Sequence, residues 1–452
     1  MSSDAPTDRR PTVYIETYGC QMNVSDSELM YGTLAAQGYE AVDAPEGADV
    51  ILVNTCAIRE NAEQRVIGRL GDLKRHQRRD TVFGVTGCMA QRLGPRLLEQ
   101  ASHVSLVVGP DGYRALPQLI ARARGGERDV FTTFDLEEHY AAITPRRFDG
   151  VKAWIPVQRG CDYRCTYCIV PYTRGPERSR ALADCVAEVR EVAEQGLTEV
   201  VLLGQTVNSW TDGTHDFADL LRAVGAVDGI RRVRFTSPHP NDFSPRVIEA
   251  LATVDTVCEH VHLPMQSGST RTLKRMLRRY TREEFLACVE ALRRAIPGLG
   301  LTTDIIVGFP GEREEDFEET LSAVRTVGFD DAFMFKFSPR EGTPATRLPA
   351  EETVPDDVVA TRFETLVATV RDGAREKNLG LLGARREILI EKGARKGELL
   401  QGRTRDFKTV LIPGDDSLIG QYRDVVLTGT TGSTFTGQVI DAAPVRQPLP
   451  LA

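Results

Sequence analysis

The densest chemistry in the chain lies in nine residues, Gly160-Cys161-Asp162-Tyr163-Arg164-Cys165-Thr166-Tyr167-Cys168. Three thiolates so close together in a loop can ligate three irons of a [4Fe–4S] cubane and leave the fourth iron without a protein ligand. An open coordination position is what a catalytic cluster needs, in contrast to a closed structural site. The alternatives are a zinc site or three unrelated cysteines. Zinc sites favour paired CX2C units and a fourth ligand, and none is found nearby.

A second set is spread out. Cys20, Cys56 and Cys88 each follow the carboxyl end of an expected strand, in Tyr18-Gly19-Cys20, Asn54-Thr55-Cys56 and Thr86-Gly87-Cys88. Their separations of 36 and 32 residues are about one βα unit each. In a parallel sheet the ends of successive strands lie side by side at one edge. Three thiolates remote in sequence would converge there, which predicts a second cubane with one open iron. The alternative is three buried cysteines, a common fate of the residue. Cys185, Cys258 and Cys288 show no such pattern, and Cys185 and Cys288 fall on expected helices as core residues.

The elements that must position these thiols alternate. Strands are expected at Val13–Ile15, Asp49–Val53, Thr81–Val85 and Val104–Val108. A helix is expected to start at Ser25-Asp26-Ser27-Glu28 and stop at Gly38, and another to run from about Glu60 to Gln77. This is a parallel sheet flanked by helices. Gly125-Gly126 and the polar stretch after it read as a linker. Six further βα steps, with strands near 151–157, 198–203, 231–236, 259–263, 300–307 and 332–337, suit a barrel or partial barrel, with the cysteine loop just after its first strand. Short strands at Glu387–Ile390, Thr409–Ile412 and Asp424–Leu427 then read as a small antiparallel β barrel. The fold class is α/β, with an N-terminal parallel α/β domain (12–125), a linker (126–150), a central partial (β/α)6 barrel of TIM type (151–380) and a small OB-like C-terminal barrel (384–446).

The composition is that of an ordinary globular chain: 452 residues, 41% hydrophobic and 27% charged. No stretch approaches the apolar length of a bilayer span, and the first eleven residues lack the apolar core of a secretory signal. A cytoplasmic monomer is expected, with its nine cysteines reduced. The net charge of −8 argues against non-specific coating of nucleic acid.

The CX3CX2C loop at the head of a six-step βα series resembles the radical-SAM superfamily. That resemblance implies that the open iron chelates S-adenosylmethionine, whose cleavage yields a 5′-deoxyadenosyl radical. It places the methionine amino group against Leu203–Asn208, with Gly204, Gln205 and Asn208, and adenine against Ile306–Gly311 and the backbone of Tyr167. Ser237, His262, Gln266 and Asp304, at or just past later strand ends, complete the expected cofactor site, with Ile306. From Val13 to Ile440 the chain resembles the methylthiotransferase family. The motifs are Gly19-Cys20-Gln21-Met22-Asn23, Asn54-Thr55-Cys56-Ala57-Ile58-Arg59-Glu60 and Cys168-Ile169-Val170-Pro171-Tyr172-Thr173-Arg174-Gly175. Gln21-Met22-Asn23 resembles the tRNA branch in particular. The family resemblance implies two [4Fe–4S] clusters and two S-adenosylmethionine per product. It implies methylthiolation at C2 of N6-isopentenyladenosine beside the anticodon (adenosine 37), with sulfur supplied by the cluster on Cys20, Cys56 and Cys88. An external electron donor is then needed. The C-terminal barrel would be of TRAM type.

For the tRNA anticodon stem-loop, residues 384–446 carry ten Lys/Arg against eight Asp/Glu, net +2 in a chain of −8. Arg403, Arg405, Phe407 and Lys408 interleave charge with an aromatic, which suits phosphate contact and base stacking. Arg271 to Arg282 carries six basic residues at spacings of three and four, among them Arg275 and Arg279, expected to share one helical face. Arg174 and Arg178 are expected to meet substrate phosphate or the cofactor carboxylate. Competing readings are methylthiolation of a ribosomal-protein side chain or of threonylcarbamoyl-adenosine in tRNA and, in another class, a non-enzymatic RNA-binding iron–sulfur sensor.

Overall fold

The structure is a computed structural model that describes residues 9–57, 60–140, 142–148, 150–394 and 398–440. Ile58 and Arg59 of the second cysteine motif, positions 141 and 149 of the expected linker, and residues 441–446 of the expected C-terminal barrel lie outside the described residues. The chain forms two compact units. One runs to Phe148 and includes Arg159–Tyr163 and Ile169–Arg178; the other comprises the rest.

The first unit is built on a six-stranded parallel sheet in the order Glu40–Ala41, Thr12–Thr17, Val50–Thr55, Val82–Gly87, Leu106–Val108, Asp129–Phe131. The central strands Val50–Thr55 and Val82–Gly87 are buried at every residue, as expected where helices cover both faces. Side-chain alternation divides them: Val50, Leu52 and Val82 enter one core, while Ile51, Val53, Phe83 and Val85 enter another. The last strand, Asp129–Phe131, falls in the segment expected to be a linker. It is a three-residue, half-buried edge strand, too short to show a two-residue period.

The first helix spans Gln21–Ala35, four residues earlier than expected. Cys20 occupies its N-cap, and the Asn23 side chain accepts from the Cys20 N–H at 3.3 Å. Ser25, Asp26, Ser27 and Glu28, expected as the helix start, are buried inside it. They are polar for tertiary reasons: Ser27 bonds Thr17 and Asn54, and Asp26 binds arginines.

The second unit holds two three-stranded parallel sheets. One comprises Lys152–Pro156, Glu199–Leu203 and Arg232–Phe235; the other comprises His260–His262, Gly300–Val307 and Asp331–Lys336. Among the described residues, an isolated bridge from Val233 to Val257 links the first sheet to the segment just before His260, so the barrel is partial. Ala153, Ile155, Val200, Leu202, Val233, Val261, Leu301 and Ile305 face the helices in one continuous core. The intervening residues, including Arg232, Arg234, His262, Thr302 and Asp304, turn to the other face.

After the helix Asp356–Leu379, five strands close a small barrel: Arg385–Gly393, Leu399–Thr404, Thr409–Pro413, Tyr422–Thr430 and Thr434–Val439. Four pairings are antiparallel, and the pairing of Thr409–Pro413 with Thr434–Val439 is parallel. Among the described residues no helix is long and apolar enough to cross a membrane.

Candidate functional site

In the first unit, Cys20, Cys56 and Cys88 follow three neighbouring strands, Thr12–Thr17, Val50–Thr55 and Val82–Gly87. The turn before Cys20 passes so close to Cys56 that a Cβ on Gly19 would lie 2.7 Å from the Cys56 Cβ. Gly19 also has φ +139°, which only glycine adopts readily. Asn23 ties the turns together: its amide donates to the Thr55 carbonyl at 3.2 Å and its oxygen accepts from the Cys20 backbone and thiol. A hydrogen bond from Cys56, against the opposing effect of burial and with the pull of Arg174, brings the Cys20 thiol down to about 6. Burial pushes Cys88 up, with Arg174 opposing. Cys20 is therefore poised to be a thiolate, the form that ligates iron.

Behind Cys88 lies a buried charged network. Arg174 Nε donates to Cys88 Sγ at 3.1 Å and its Nη2 to Asp26 at 2.6 Å. Arg159 binds the other oxygen of Asp26 at 2.9 Å. Arg178 forms a two-point pair with Asp111 at 2.9 and 3.1 Å. Arg174 and Arg178, expected at a substrate surface, are buried, because each has a carboxylate of this unit as its partner. Cys161 belongs to the same unit, and its N–H donates to the Gly175 carbonyl at 3.1 Å.

In the second unit, Cys165 and Cys168 sit on a pinned turn. The Thr166 N–H donates to the Met276 carbonyl at 3.0 Å, its hydroxyl to the Arg275 carbonyl at 3.1 Å, and its carbonyl accepts from Ala345. Arg278, also buried, points Nη1 at Cys165 Sγ, 3.5 Å away, while Nε donates to the Tyr280 hydroxyl. Among the described residues no group of three His, Cys, Asp or Glu side chains is arranged to hold a single metal ion.

Several expected cofactor residues gather in the second unit at or beyond the carboxyl ends of the strands. Gly204, Gln205 and Asn208 follow Leu203, held by Gln158, whose side chain bonds the Thr206 N–H and C=O at 3.0 and 2.9 Å. Asn208 exchanges two hydrogen bonds with the His239 backbone. Ser237, exposed with φ +57°, and Gln266, buried with φ +65°, occupy strained turns. His262 Nε2 lies 3.2 Å from Asp304, and its Nδ1 lies 2.9 Å from the Thr302 hydroxyl. Tyr167 and Ile306 pack together on the apolar cluster of Met276, Phe309 and Ala345.

The expected RNA-binding residues are dispersed. The run Arg271–Arg282 is no single helix: one helix is Thr270–Arg275, Leu277 adopts φ +54°, and the next begins at Arg282 behind the Thr281 cap. Arg271 pairs with Asp316, Arg275 with Glu352 and the Pro310 carbonyl, and Arg278 turns to Cys165. Arg279 is exposed.

Arg403, Arg405, Phe407 and Lys408 dock the C-terminal barrel onto the amino ends of the central strands. Arg405 grips Glu259 at 2.8 Å and Lys408 binds Asp330 at 2.6 Å, while the Arg403 side chain pairs within the barrel with Glu391 at 3.3 Å and its carbonyl faces the central strands. Phe407 stacks on His260 with centroids 4.3 Å apart. Arg232 and Arg234 donate to the Arg403, Thr404 and Arg405 carbonyls. Gly300 admits the loop: a Cβ there would stand 2.4 Å from the Asp406 carbonyl oxygen. The interleaved charge and aromatic character of this loop therefore serves an intramolecular interface.

Asp26 and Arg159 were not among the expected site residues, and Arg278 was expected only as a member of the basic run Arg271–Arg282. They lie outside the cysteine spacing; what marks them is burial within their own units, Asp26 with Arg159 in the first and Arg278 beside Cys165 in the second.

Residues 12–109 match the family described as "Uncharacterized protein family UPF0004", and residues 155–324 match the radical SAM superfamily. The chain is 45% identical over 440 residues to a tRNA-2-methylthio-N(6)-dimethylallyladenosine synthase of Geobacillus thermodenitrificans, covering 95% of this chain and 84% of the relative. It is 43% identical over 441 residues to the protein of that name from Moorella thermoacetica, covering 96% and 99%. In fold it is similar to the radical S-adenosylmethionine methyltransferase TsrM of Kitasatospora setae, with TM-score 0.59, 16% identity and coverage of 77% and 80%.

Proposed function

The chain belongs to the tRNA-2-methylthio-N6-dimethylallyladenosine synthase family within the radical SAM superfamily, and on that premise we propose that it methylthiolates C2 of N6-isopentenyladenosine 37, beside the anticodon of tRNA. The observation that carries this reading is the convergence of Cys20, Cys56 and Cys88 at the ends of three adjacent strands, in a chain that also has the Cys161, Cys165, Cys168 loop.

The residues fit two [4Fe–4S] clusters. The donors are all thiols, Cys20 is acidified, and each set has a buried arginine at a ligand sulfur. Cys20, Cys56 and Cys88 would hold the auxiliary cluster; Cys161, Cys165 and Cys168 would hold the other. When bound, the clusters and two S-adenosylmethionine supply the radical, the methyl group and the sulfur that an unreactive aromatic C–H requires.

The protein's part is to bind and orient. Asn23 fixes the Cys20 turn, and Arg278 steadies Cys165. Gly204, Gln205 and Asn208 meet the methionine end of S-adenosylmethionine, Ser237, Gln266, His262 and Asp304 its polar middle, and Tyr167 and Ile306 its adenine. The apolar cluster under Tyr167 and Ile306 excludes water from that end. The anticodon loop offers a base that unstacks at low cost; exposed Arg279 contacts its backbone. The enzyme works as a cytoplasmic monomer with an external one-electron donor.

The test is anaerobic reconstitution followed by reaction with tRNA carrying isopentenyladenosine, S-adenosylmethionine and a reductant. The expected result is a nucleoside heavier by one methylthio group in place of hydrogen. Cleavage of S-adenosylmethionine with no thiolated nucleoside, using iron-replete protein, would overturn the reading.

A further inference from the structure

We infer that Arg174 is a positioning residue of the auxiliary centre, oriented by Asp26 to hydrogen-bond the Cys88 sulfur and thereby raise the reduction potential of the cluster held there. The inference rests on the proposal that Cys20, Cys56 and Cys88 hold a [4Fe–4S] cluster.

Two features carry it. The first is charge. Asp26 is fully buried and lies between two guanidiniums, Arg159 at 2.9 Å and Arg174 at 2.6 Å, both under 10% exposed. One carboxylate cannot balance two cations, and a buried unbalanced charge is costly. As a ligand of the cluster, the Cys88 sulfur, 3.1 Å from Nε, is the second anion beside Arg174. The second is geometry. With Nε on sulfur and Nη2 on Asp26, the planar guanidinium is held at two points. Its remaining nitrogen, Nη1, is buried and has no hydrogen-bond partner among the described residues. Such a fork is reserve donor capacity at the centre, and lysine cannot reproduce it.

Hydrogen bonds to cluster sulfurs and nearby positive charge favour the reduced, more negative state of an iron–sulfur cluster. Arg174 therefore makes the auxiliary cluster easier to reduce than three thiolates alone would. Asp26 acts through Arg174, and Arg159 takes the other oxygen of Asp26, so that Arg174 keeps its own bond to Cys88.

The experiment uses full-length protein with Cys161, Cys165 and Cys168 all changed to alanine, so that only the auxiliary cluster is present. Iron is counted, and the midpoint potential is read by electron paramagnetic resonance during a redox titration, in this parent and with Arg174→Gln or Arg174→Lys added. Arg174→Gln is expected to shift the potential negative, with about a tenfold change in the oxidised-to-reduced ratio, or ~59 mV for one electron. Arg174→Lys, which keeps the charge and loses the fork, is expected to fall between. An unchanged potential in iron-replete Arg174→Gln would overturn the inference. Folded Arg174→Gln and Arg174→Lys proteins that both fail to hold iron would also overturn it, by assigning Arg174 to the scaffold. A parent with no iron would overturn the cluster reading itself and the inference with it.

Discussion

Lys408 places its ammonium 2.6 Å from Asp330, and both side chains are buried, at 7% and 6% exposure. The pair locks a loop of the C-terminal barrel to the start of the last central strand. Removing one member of a buried ion pair costs about 3–5 kcal/mol where the other charge is left stranded, but Asp330 also has Lys377 at 2.7 Å. Lys408→Ala should therefore lower unfolding stability in urea by less than that, about 1.5–3 kcal/mol, as for a lost hydrogen bond to a charged group. Arg405→Ala, at the wetter pair with Glu259, should cost only about 1 kcal/mol. In neither case should the slope of tRNA affinity against salt change by the one unit expected for a lost phosphate contact; a change of that size would return the loop to the RNA surface.

The same interface should loosen in acid. Burial raises the Asp330 carboxyl, but Lys408 and Lys377 outweigh it and hold it below its ordinary value. A carboxyl depressed in the folded state contributes stability above its unfolded pKa, about 3.9, and loses it as pH falls through the folded value. The contribution should be complete above about pH 5 and decline below about pH 4. Asp330→Asn should flatten that part of the stability profile, as measured by urea midpoints between pH 3 and 6. An unchanged slope would assign acid lability elsewhere.

The two cysteine sets were legible because their logic is topological. A βα period places Cys20, Cys56 and Cys88 at one sheet edge whatever the details of packing, and Cys161, Cys165 and Cys168 are neighbours in sequence. The partners of the arginines were not legible because ion pairs have no period. Arg405 and Lys408 look like phosphate ligands until Glu259 and Asp330, more than 70 residues away, arrive beside them. The run Arg271–Arg282 keeps helical spacing, but Leu277 breaks the helix, and Arg271, Arg275 and Arg278 turn to Asp316, Glu352 and Cys165. Asp26 looked like part of a helix start because Ser, Asp and Glu favour first turns; Cys20 and Asn23 had already taken that role.

The two cysteine sets should fail differently. Cys165→Ala should abolish formation of 5′-deoxyadenosine. Cys56→Ala should retain some of it while forming no thiolated nucleoside, since its loss affects the sulfur-bearing centre only. Both products are counted by mass spectrometry from one reaction. Thiolated product from Cys56→Ala would remove the auxiliary set from the chemistry.

Arg278 should matter to cofactor cleavage without touching the cofactor's own contacts. Its Nη1 approaches Cys165, its Nε bonds Tyr280, and its Nη2 reaches the Pro264 carbonyl at 3.4 Å. Tyr280 in turn bonds the Pro264 and Met265 carbonyls at 3.0 and 2.9 Å, just before Gln266. One guanidinium thus braces the cysteine turn against the segment leading to an expected S-adenosylmethionine residue. Groups that orient ligands from behind typically account for 10–100-fold in affinity or activity. Arg278→Met should lower the rate of 5′-deoxyadenosine formation by about that factor, with the iron content of the auxiliary centre intact. Arg278→Lys, which retains charge but not the fork, should recover only part of the loss. Full activity in Arg278→Met would reduce this arginine to a packing residue and leave Thr166 and Met276 as the supports of the turn.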